Sequence, residues 1–285
     1  MTIDRTFSPI GVFDSGVGGI SVLRAIRKEL PGEATIYFAD QVHVPYGERS
    51  LEEVRKLSEA ITLFLISEGV KLIVVACNTA SAAALHYLRD KFPEMPFVGM
   101  EPALKPAAEN SKSGVLGVLA TPATFQGTLY GTLIERFAND LTVLRHTCPG
   151  LVNQIEAGDL DSPETRAILE GALQPMIKQG IDTVVLGCTH YPFVIPVIEE
   201  ITGPFIQVID PSPAVARQTH RILEQHNLLR PAISSQEGGY SHELPIRLIT
   251  SKDKHNYSRL VGSLLREEGI IEETFWRGGK LSRSS

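Results

Sequence analysis

Two stretches decide how this chain is read: Leu72-Ile73-Val74-Val75-Ala76-Cys77-Asn78-Thr79 and Thr183-Val184-Val185-Leu186-Gly187-Cys188-Thr189-His190. Each is a β-branched, apolar run that ends on a small residue, then cysteine, then amide, hydroxyl or imidazole side chains. Continuous apolar runs of this length predict parallel strands covered on both faces. The chain has 285 residues and three cysteines, and two of the three stand at the same place in a repeated element. A second echo lies upstream of each. Ile10-Gly11-Val12-Phe13-Asp14-Ser15 matches Leu116-Gly117-Val118-Leu119-Ala120-Thr121, and the step from Ile10 to Leu116 nearly equals that from Cys77 to Cys188. Two matches in register predict a duplication that brings two sulfurs to a shared site.

Working outward, strand-like and helix-like runs alternate almost throughout. Ile10–Phe13, Thr35–Ala39, Leu72–Ala76, Phe97–Gly99, Val115–Leu119, Leu141–Leu144, Thr183–Leu186, Ile206–Ile209 and Ile246–Ile249 read as strands. Leu51–Ser67 carries apolar residues three and four apart, and Ser162-Pro163-Glu164 opens a helical run that ends near Gly180. This predicts an α/β protein with right-handed crossovers. Two similar parallel-sheet α/β domains are expected, in pseudo-twofold relation, with the active site between them at the carboxyl ends of the strands. Residues 98–103 and 209–213 read as crossings. The first domain is then 1–98, completed by 210–270, and the second is 99–209. The tail 271–285, polar and Gly/Ser-rich at its end, is expected to fray, with Phe275 and Trp276 as the residues able to dock it.

Composition bounds the function. A hydrophobic fraction of 43% and a mean hydropathy of +0.03 describe ordinary globular material. A net charge of −6 gives no basic footprint for nucleic acid. Met1 to Pro9 lacks the apolar core of a signal peptide, and no run is long enough to span a membrane. Three cysteines form no disulfide framework and show no metal-ligand spacing. The expected address is a reducing cytoplasm that keeps the thiols free.

Four segments carry residue types suited to chemistry. Asp14-Ser15-Gly16-Val17-Gly18-Gly19 follows a strand and opens a helix, where glycines let the backbone approach a ligand and free N–H groups meet an anion. By itself this reads equally well as a capped tight turn. Pro45-Tyr46-Gly47-Glu48-Arg49-Ser50 reads as a loop over a ligand or as a surface loop with Ser50 capping the next helix. A buried cysteine is commonly only a small apolar residue. Cys77 and Cys188, however, sit where a strand stops and polar residues begin. A helix N-terminus after each is expected to lower the thiol pKa, with Asp14 and His190 placed to exchange protons. Cys148, before Pro149-Gly150, lacks this context and takes the structural reading. Glu156 faces the second thiol or is an ordinary exposed helical residue. Paired thiols at one site suit removal of a proton from one face of a carbon and its return on the other.

Together, Gly11-Val12-Phe13-Asp14-Ser15-Gly16-Val17-Gly18-Gly19, Pro45-Tyr46-Gly47, Ala76-Cys77-Asn78-Thr79-Ala80-Ser81 and Gly187-Cys188-Thr189-His190-Tyr191-Pro192 resemble the signature blocks of the glutamate racemases, within the aspartate/glutamate racemase superfamily. The blocks stand in the same order and span about residues 8–265. The resemblance implies cofactor-independent two-base racemisation of L- and D-glutamate, without pyridoxal phosphate or metal, supplying D-glutamate for peptidoglycan. It implies Cys77 and Cys188 as catalytic thiols, Asp14 beside the first, and His190 and Glu156 beside the second. Asp14, Ser15, Tyr46, Gly47, Asn78, Thr79, Thr121, Thr124, Thr189 and His190 would bind the substrate, glutamate. The stretch Val152-Asn153-Gln154-Ile155-Glu156 departs from the Val-Pro-Leu-Val-Glu common in relatives. An aspartate racemase on the same fold and a non-catalytic amino-acid-binding protein are the competing readings. A homodimer is compatible with the sequence.

Overall fold

A computed structural model describes residues 4–231, 244 and 246–283. Eleven strands lie in two sheets among these residues. The first sheet contains β1 (Ile10–Asp14), β2 (Thr35–Ala39), β3 (Leu72–Val75) and β4 (Phe97–Gly99). The second contains β5 (Val115–Ala120), β6 (Thr142–His146), β7 (Thr183–Gly187) and β8 (Gln207–Ile209). Each of the nine expected strands forms, with ends shifted by at most two residues.

The first sheet runs β2-β1-β3-β4 and the second β6-β5-β7-β8, so one strand order occurs twice, all parallel. The register repeats as well. Gly11 stands beside Ile73 and Phe13 beside Val75, as Gly117 stands beside Val184 and Leu119 beside Leu186. In both sheets the order reverses at the central pair, β1/β3 and β5/β7. Ligands of open α/β sheets bind at such switch points, beyond the carboxyl ends. Asp14, Cys77, Thr121 and Cys188 stand at or just beyond those four ends.

Alternation along the strands sets which way each cysteine faces. Leu72, Val74 and Ala76 belong to one core cluster, while Ile73, Val75 and Cys77 belong to the cluster on the other face of the sheet. In the second sheet Val184, Leu186 and Cys188 share a cluster and Val185 faces the opposite one. Each sulfur therefore continues the buried row of its own strand.

The chain leaves the first sheet after β4, and the helix Leu104–Asn110 packs with Leu116 and Val118 of the second. It returns after β8, where the helix Ser212–Gln225 packs Val215, Ala216 and Leu223 into the first core. β9 (Ile246–Thr250) then pairs with β2, and the helix Lys254–Leu265 follows.

The tail corrects the expectation of fraying. β10 (Ile270–Arg277) adds to β9 in parallel, and β11 (Lys280–Arg283) folds back on β10. Gly278 and Gly279 adopt φ of +55° and +75°, as a two-residue hairpin turn of the mirror type requires. Charge pairing then holds the ribbon. Arg247 of β9 grips both carboxylate oxygens of Glu272 at 2.6 and 2.9 Å, and Glu68 joins Arg247 to Arg283. A polar sequence is thus no sign of disorder when its charges alternate in sign across neighbouring strands.

At the opposite, amino ends of the strands, Lys71 and Glu33 form a buried pair of 2.6 Å, with side chains 0% and 3% exposed. Lys71 also donates to the Thr6 carbonyl, and Glu33 accepts the Arg230 N–H. Removing one member leaves the other charge buried and unpaired. Lys71→Ala is expected to destabilise the protein by about 3–5 kcal/mol. Catalytic constants per folded molecule should stay unchanged, because the pair lies away from the carboxyl ends. Urea unfolding with parallel assays checks both, and a loss below about 1 kcal/mol would show the pair to be solvated.

Candidate active site

Cys77 caps the helix Asn78–Lys91, its Sγ accepting the Ala80 N–H at 3.4 Å. The expected lowering of its pKa is corrected by its surroundings. Burial of the sulfur and then the charge of Asp14 outweigh the helix-end bond, so the thiol is pushed well above its ordinary value. Asp14, fully buried at the end of β1, accepts the N–H groups of Gly16 at 3.2 Å and Gly19 at 3.0 Å. Its other oxygen accepts the Thr189 hydroxyl at 3.3 Å, across to the second sheet. Burial raises its pKa, offset in part by His190 and the two N–H groups.

Cys188 has a different partner. No α-helix opens beside it. Turn residues lead into a 3₁₀ turn, Tyr191–Val194, and only then the helix Ile195–Thr202, which corrects that part of the sequence reading. In place of a helix end, His190 Nδ1 lies 3.8 Å from the Cys188 sulfur, and Nε2 lies 2.6 Å from Glu156 Oε1. Burial alone would push the imidazole down, but Cys188 and Glu156 outweigh it and hold His190 well above its ordinary value. Burial would raise Glu156, but His190, the Val17 N–H and Gln41 outweigh it and lower the carboxyl. The result is a largely buried Cys188–His190–Glu156 chain with a charged imidazole–carboxylate pair.

Glu156 joins the two halves. It sits on the short helix Leu151–Ala157, next to the second sheet, yet its Oε1 accepts the Val17 N–H at 2.8 Å and its Oε2 the Gln41 amide at 3.2 Å. Gln41 is steadied in turn by the Thr250 hydroxyl at 3.1 Å. The sequence reading missed Gln41; its only signal was its place just past the end of β2.

Cys77 and Cys188 line one cavity of about 20 Å³. Ser15, Tyr46, Gly47, Asn78, Thr79, Thr121, Thr189 and His190 line it too, with Pro45 and Val152, which sequence reasoning did not single out. Asp14, Glu156 and Thr124 stand behind this wall. Thr124 bonds Thr121 at 2.9 Å, and Thr121 bonds Thr79 at 2.8 Å across the halves. The Tyr46 hydroxyl is turned away from the cavity and donates to Asp40 at 2.6 Å. Both amide atoms of Asn78 are buried without a partner among the described residues, as expected of groups meant for a ligand. The cavity has room for about one water, so a larger ligand enters only when these walls part. Pro45, Gly47, Thr121 and Val152 also line an adjoining cavity of about 180 Å³. Cys148 lies there, its thiol pushed up to about 12 by burial. Among the described residues, no three His, Cys, Asp or Glu side chains gather as metal ligands.

The glycines of the first loop serve neighbours more than ligand. A Cβ on Gly16 would lie 1.9 Å from Glu156 Oε1, and one on Gly18 would lie 2.4 Å from His190 Nδ1. Gly16→Ala is expected to displace Glu156 and let the His190 pKa fall back toward 6.5. Histidine NMR titration measures this, and a His190 titration equal to wild type would refute the close approach.

The pair also predicts a pH window. Glu156 is held below its ordinary 4.5, so its contribution is full above that value and is lost as the pH falls through the lowered one. His190 is held above its ordinary 6.5, so its contribution is full below that value and is lost as the pH rises through the raised one. The stability gap between wild type and Glu156→Gln should be widest between pH 4.5 and 6.5 and narrow on both sides. Urea melts across pH test it, and a gap constant into acid would count against the ion pair.

Comparison with known proteins bears on this site. The Asp/Glu/Hydantoin racemase family model matches residues 10–219. A glutamate racemase of Stutzerimonas stutzeri is 46% identical over 265 residues, covering 93% of this chain and 97% of that protein. One of Roseiflexus is 52% identical over 227 residues, covering 80% and 84%. The crystal structure of glutamate racemase isoform RacE1 from Bacillus anthracis superposes with a TM-score of 0.83 at 30% identity, covering 96% of this chain and 99% of that one. The Escherichia coli enzyme, solved with L-glutamate and an activator, gives a TM-score of 0.81 at 33% identity, covering 95% and 100%. On the extent of the family match and the identity to these relatives, the chain belongs to the Asp/Glu/hydantoin racemase family.

Proposed function

We propose that this protein interconverts L- and D-glutamate by proton transfer at the α-carbon, with Cys77 and Cys188 as the two bases and no cofactor. The observation that carries the reading is that two cysteines, equivalent in the repeated halves, line one cavity. The choice of glutamate rests on the relatives' names and on the structures solved with glutamate. The division of the chain into 1–98 with 210–270 and 99–209 belongs to the same proposal, now with the tail joined to the first sheet. So do the cytoplasmic address, the supply of D-glutamate for peptidoglycan and a homodimeric assembly.

In one direction the Cys77 thiolate takes the α-proton while the Cys188 thiol gives its own to the opposite face. The reverse reaction exchanges the roles. A thiol as buried as Cys77, beside the Asp14 charge, ionises at a cost, which falls when Asp14 is neutralised by the proton it accepts and when a cation sits nearby. Asp14, itself raised, is able to receive the proton, and the substrate ammonium favours the thiolate. Beside Cys188, the His190 imidazolium stabilises a thiolate and Glu156 keeps the imidazole charged. Asn78, Thr79, Thr121 and Thr189, with Ser15 and the Tyr46–Gly47 backbone, would hold the carboxylates and stabilise the charge that grows on the α-carboxylate. Closure of the walls excludes water and strengthens each of these interactions.

NMR of L- and D-glutamate in D₂O with purified protein tests the reaction. Loss of the α-proton signal with formation of the other enantiomer is expected. Exchange with aspartate alone would reassign the substrate. Cys77→Ser and Cys188→Ser should each lower racemisation by at least about 10³-fold, the scale of losing a positioned base, whereas Cys148→Ala should retain most of it. Near-normal turnover in either of the first two would sink the two-thiol chemistry.

A further inference from the structure

Asp40, the first residue after β2, is fully buried and belongs to none of the groups that line the cavity. Its carboxylate accepts from the Tyr46 hydroxyl at 2.6 Å, the Trp276 indole N–H at 2.7 Å, the Ser251 hydroxyl at 2.9 Å and His43 Nδ1 at 2.9 Å. A carboxylate offers about four lone-pair sites, so the group is saturated. Each donor is then fixed relative to the other three, because a buried charge tolerates no vacant site cheaply.

The four donors come from three parts of the chain: His43 and Tyr46 from the loop after β2, Ser251 from just past the end of β9 and Trp276 from β10. Tyr46 begins the 3₁₀ turn Tyr46–Glu48, which forms one wall of the cavity. Ser251 follows β9. Trp276 lies on β10, where its ring meets the His43 ring edge-on at a centroid distance of 4.9 Å. Trp276 and Leu281 also pack against the core cluster that contains Tyr46 and Cys77. Ser251 and Trp276 both lie beyond residues 10–219, the part matched by the family model. Displacing Tyr46 moves Gly47, which has no slack: a Cβ there would lie 2.6 Å from Thr121 Cβ on the facing wall.

We propose that Asp40 and Trp276 are positioning residues, and that the C-terminal hairpin sets the Tyr46–Gly47 wall of the glutamate site through the buried Asp40 carboxylate. This rests on the reading of that wall as part of the substrate site. Trp276→Phe keeps a ring against His43 and removes only the N–H donor. Its KM for both glutamate enantiomers is expected to rise about tenfold, the scale of one hydrogen bond to a charged group, with kcat changed much less. Asp40→Asn should act in the same direction and further. Combining the two should add little to Asp40→Asn alone, because both act through one carboxylate.

Steady-state kinetics on the full chain, alongside thermal melts, decides the matter. A lowered melting temperature in Trp276→Phe with wild-type KM would make the hairpin purely structural and overturn the proposal. Independent, additive effects of the two substitutions would overturn it as well. If Asp40→Asn fails to fold, Trp276→Phe carries the test alone. Absence of glutamate exchange in the wild type would defeat the functional reading beneath it. Exchange in the wild type with an unchanged KM in Trp276→Phe would defeat the positioning role only.

Discussion

The largely buried carboxylate of Glu156 is the constraint around which the rest of the site is arranged. A carboxylate removed from water must be paired and fully hydrogen-bonded. Its partners are His190 from the second half and Val17 and Gln41 from the first. No single half of the molecule satisfies it. Contact between the two halves, charging of His190 and placement of the Cys188 sulfur are therefore linked electrostatically. With little water nearby, each of these bonds counts for more than it would in solvent.

Small residues make this convergence sterically possible. Gly16 and Gly18 leave the space that Glu156 and His190 occupy, and Gly19 leaves room for Asp14 and Tyr37. The loop presents N–H groups to Asp14 and to Glu156 at once. A side chain at Gly16 or Gly18 would hold the halves apart where Glu156 and His190 approach the loop.

Much of this was legible in the sequence, for a definite reason. Parallel strands buried on both faces must be written as continuous apolar runs, and a duplication writes them twice, so β1, β3, β5 and β7 and their polar ends declared the architecture and both cysteines. What stayed hidden was non-local or fell where the repeat breaks. Asp14 is matched by Ala120 in the second half, and the acid there is Glu156, on a separate helix; the repeat does not mark it and only the family resemblance pointed to it, while its bonds to Val17 and Gln41 were not legible. Gln41 and Asp40 gain meaning only from partners far along the chain, Thr250, Ser251 and Trp276. The hairpin of β10 and β11 is written in polar residues around Gly278-Gly279, so its pairing shows only once Arg247 and Glu68 of distant elements meet its charges.

The break in the repeat has a chemical consequence under the two-thiol reading. Enantiomers have equal free energies in an achiral solvent, so the equilibrium constant is one and kcat/KM must be equal in the two directions. The thiols are nonetheless supported unequally, Cys77 by a raised carboxyl and Cys188 by an imidazolium–carboxylate pair. The inequality cannot enter kcat/KM. It is free to appear in kcat and KM separately, in equal measure, because each enantiomer binds the protonation state that its own base requires. The repeat places the two sulfurs at equivalent strand ends that line one cavity. What differs between them is the neighbourhood, a raised Asp14 carboxyl beside Cys77 and the charged His190–Glu156 pair beside Cys188, so that unlike groups support two equivalent strand-end thiols.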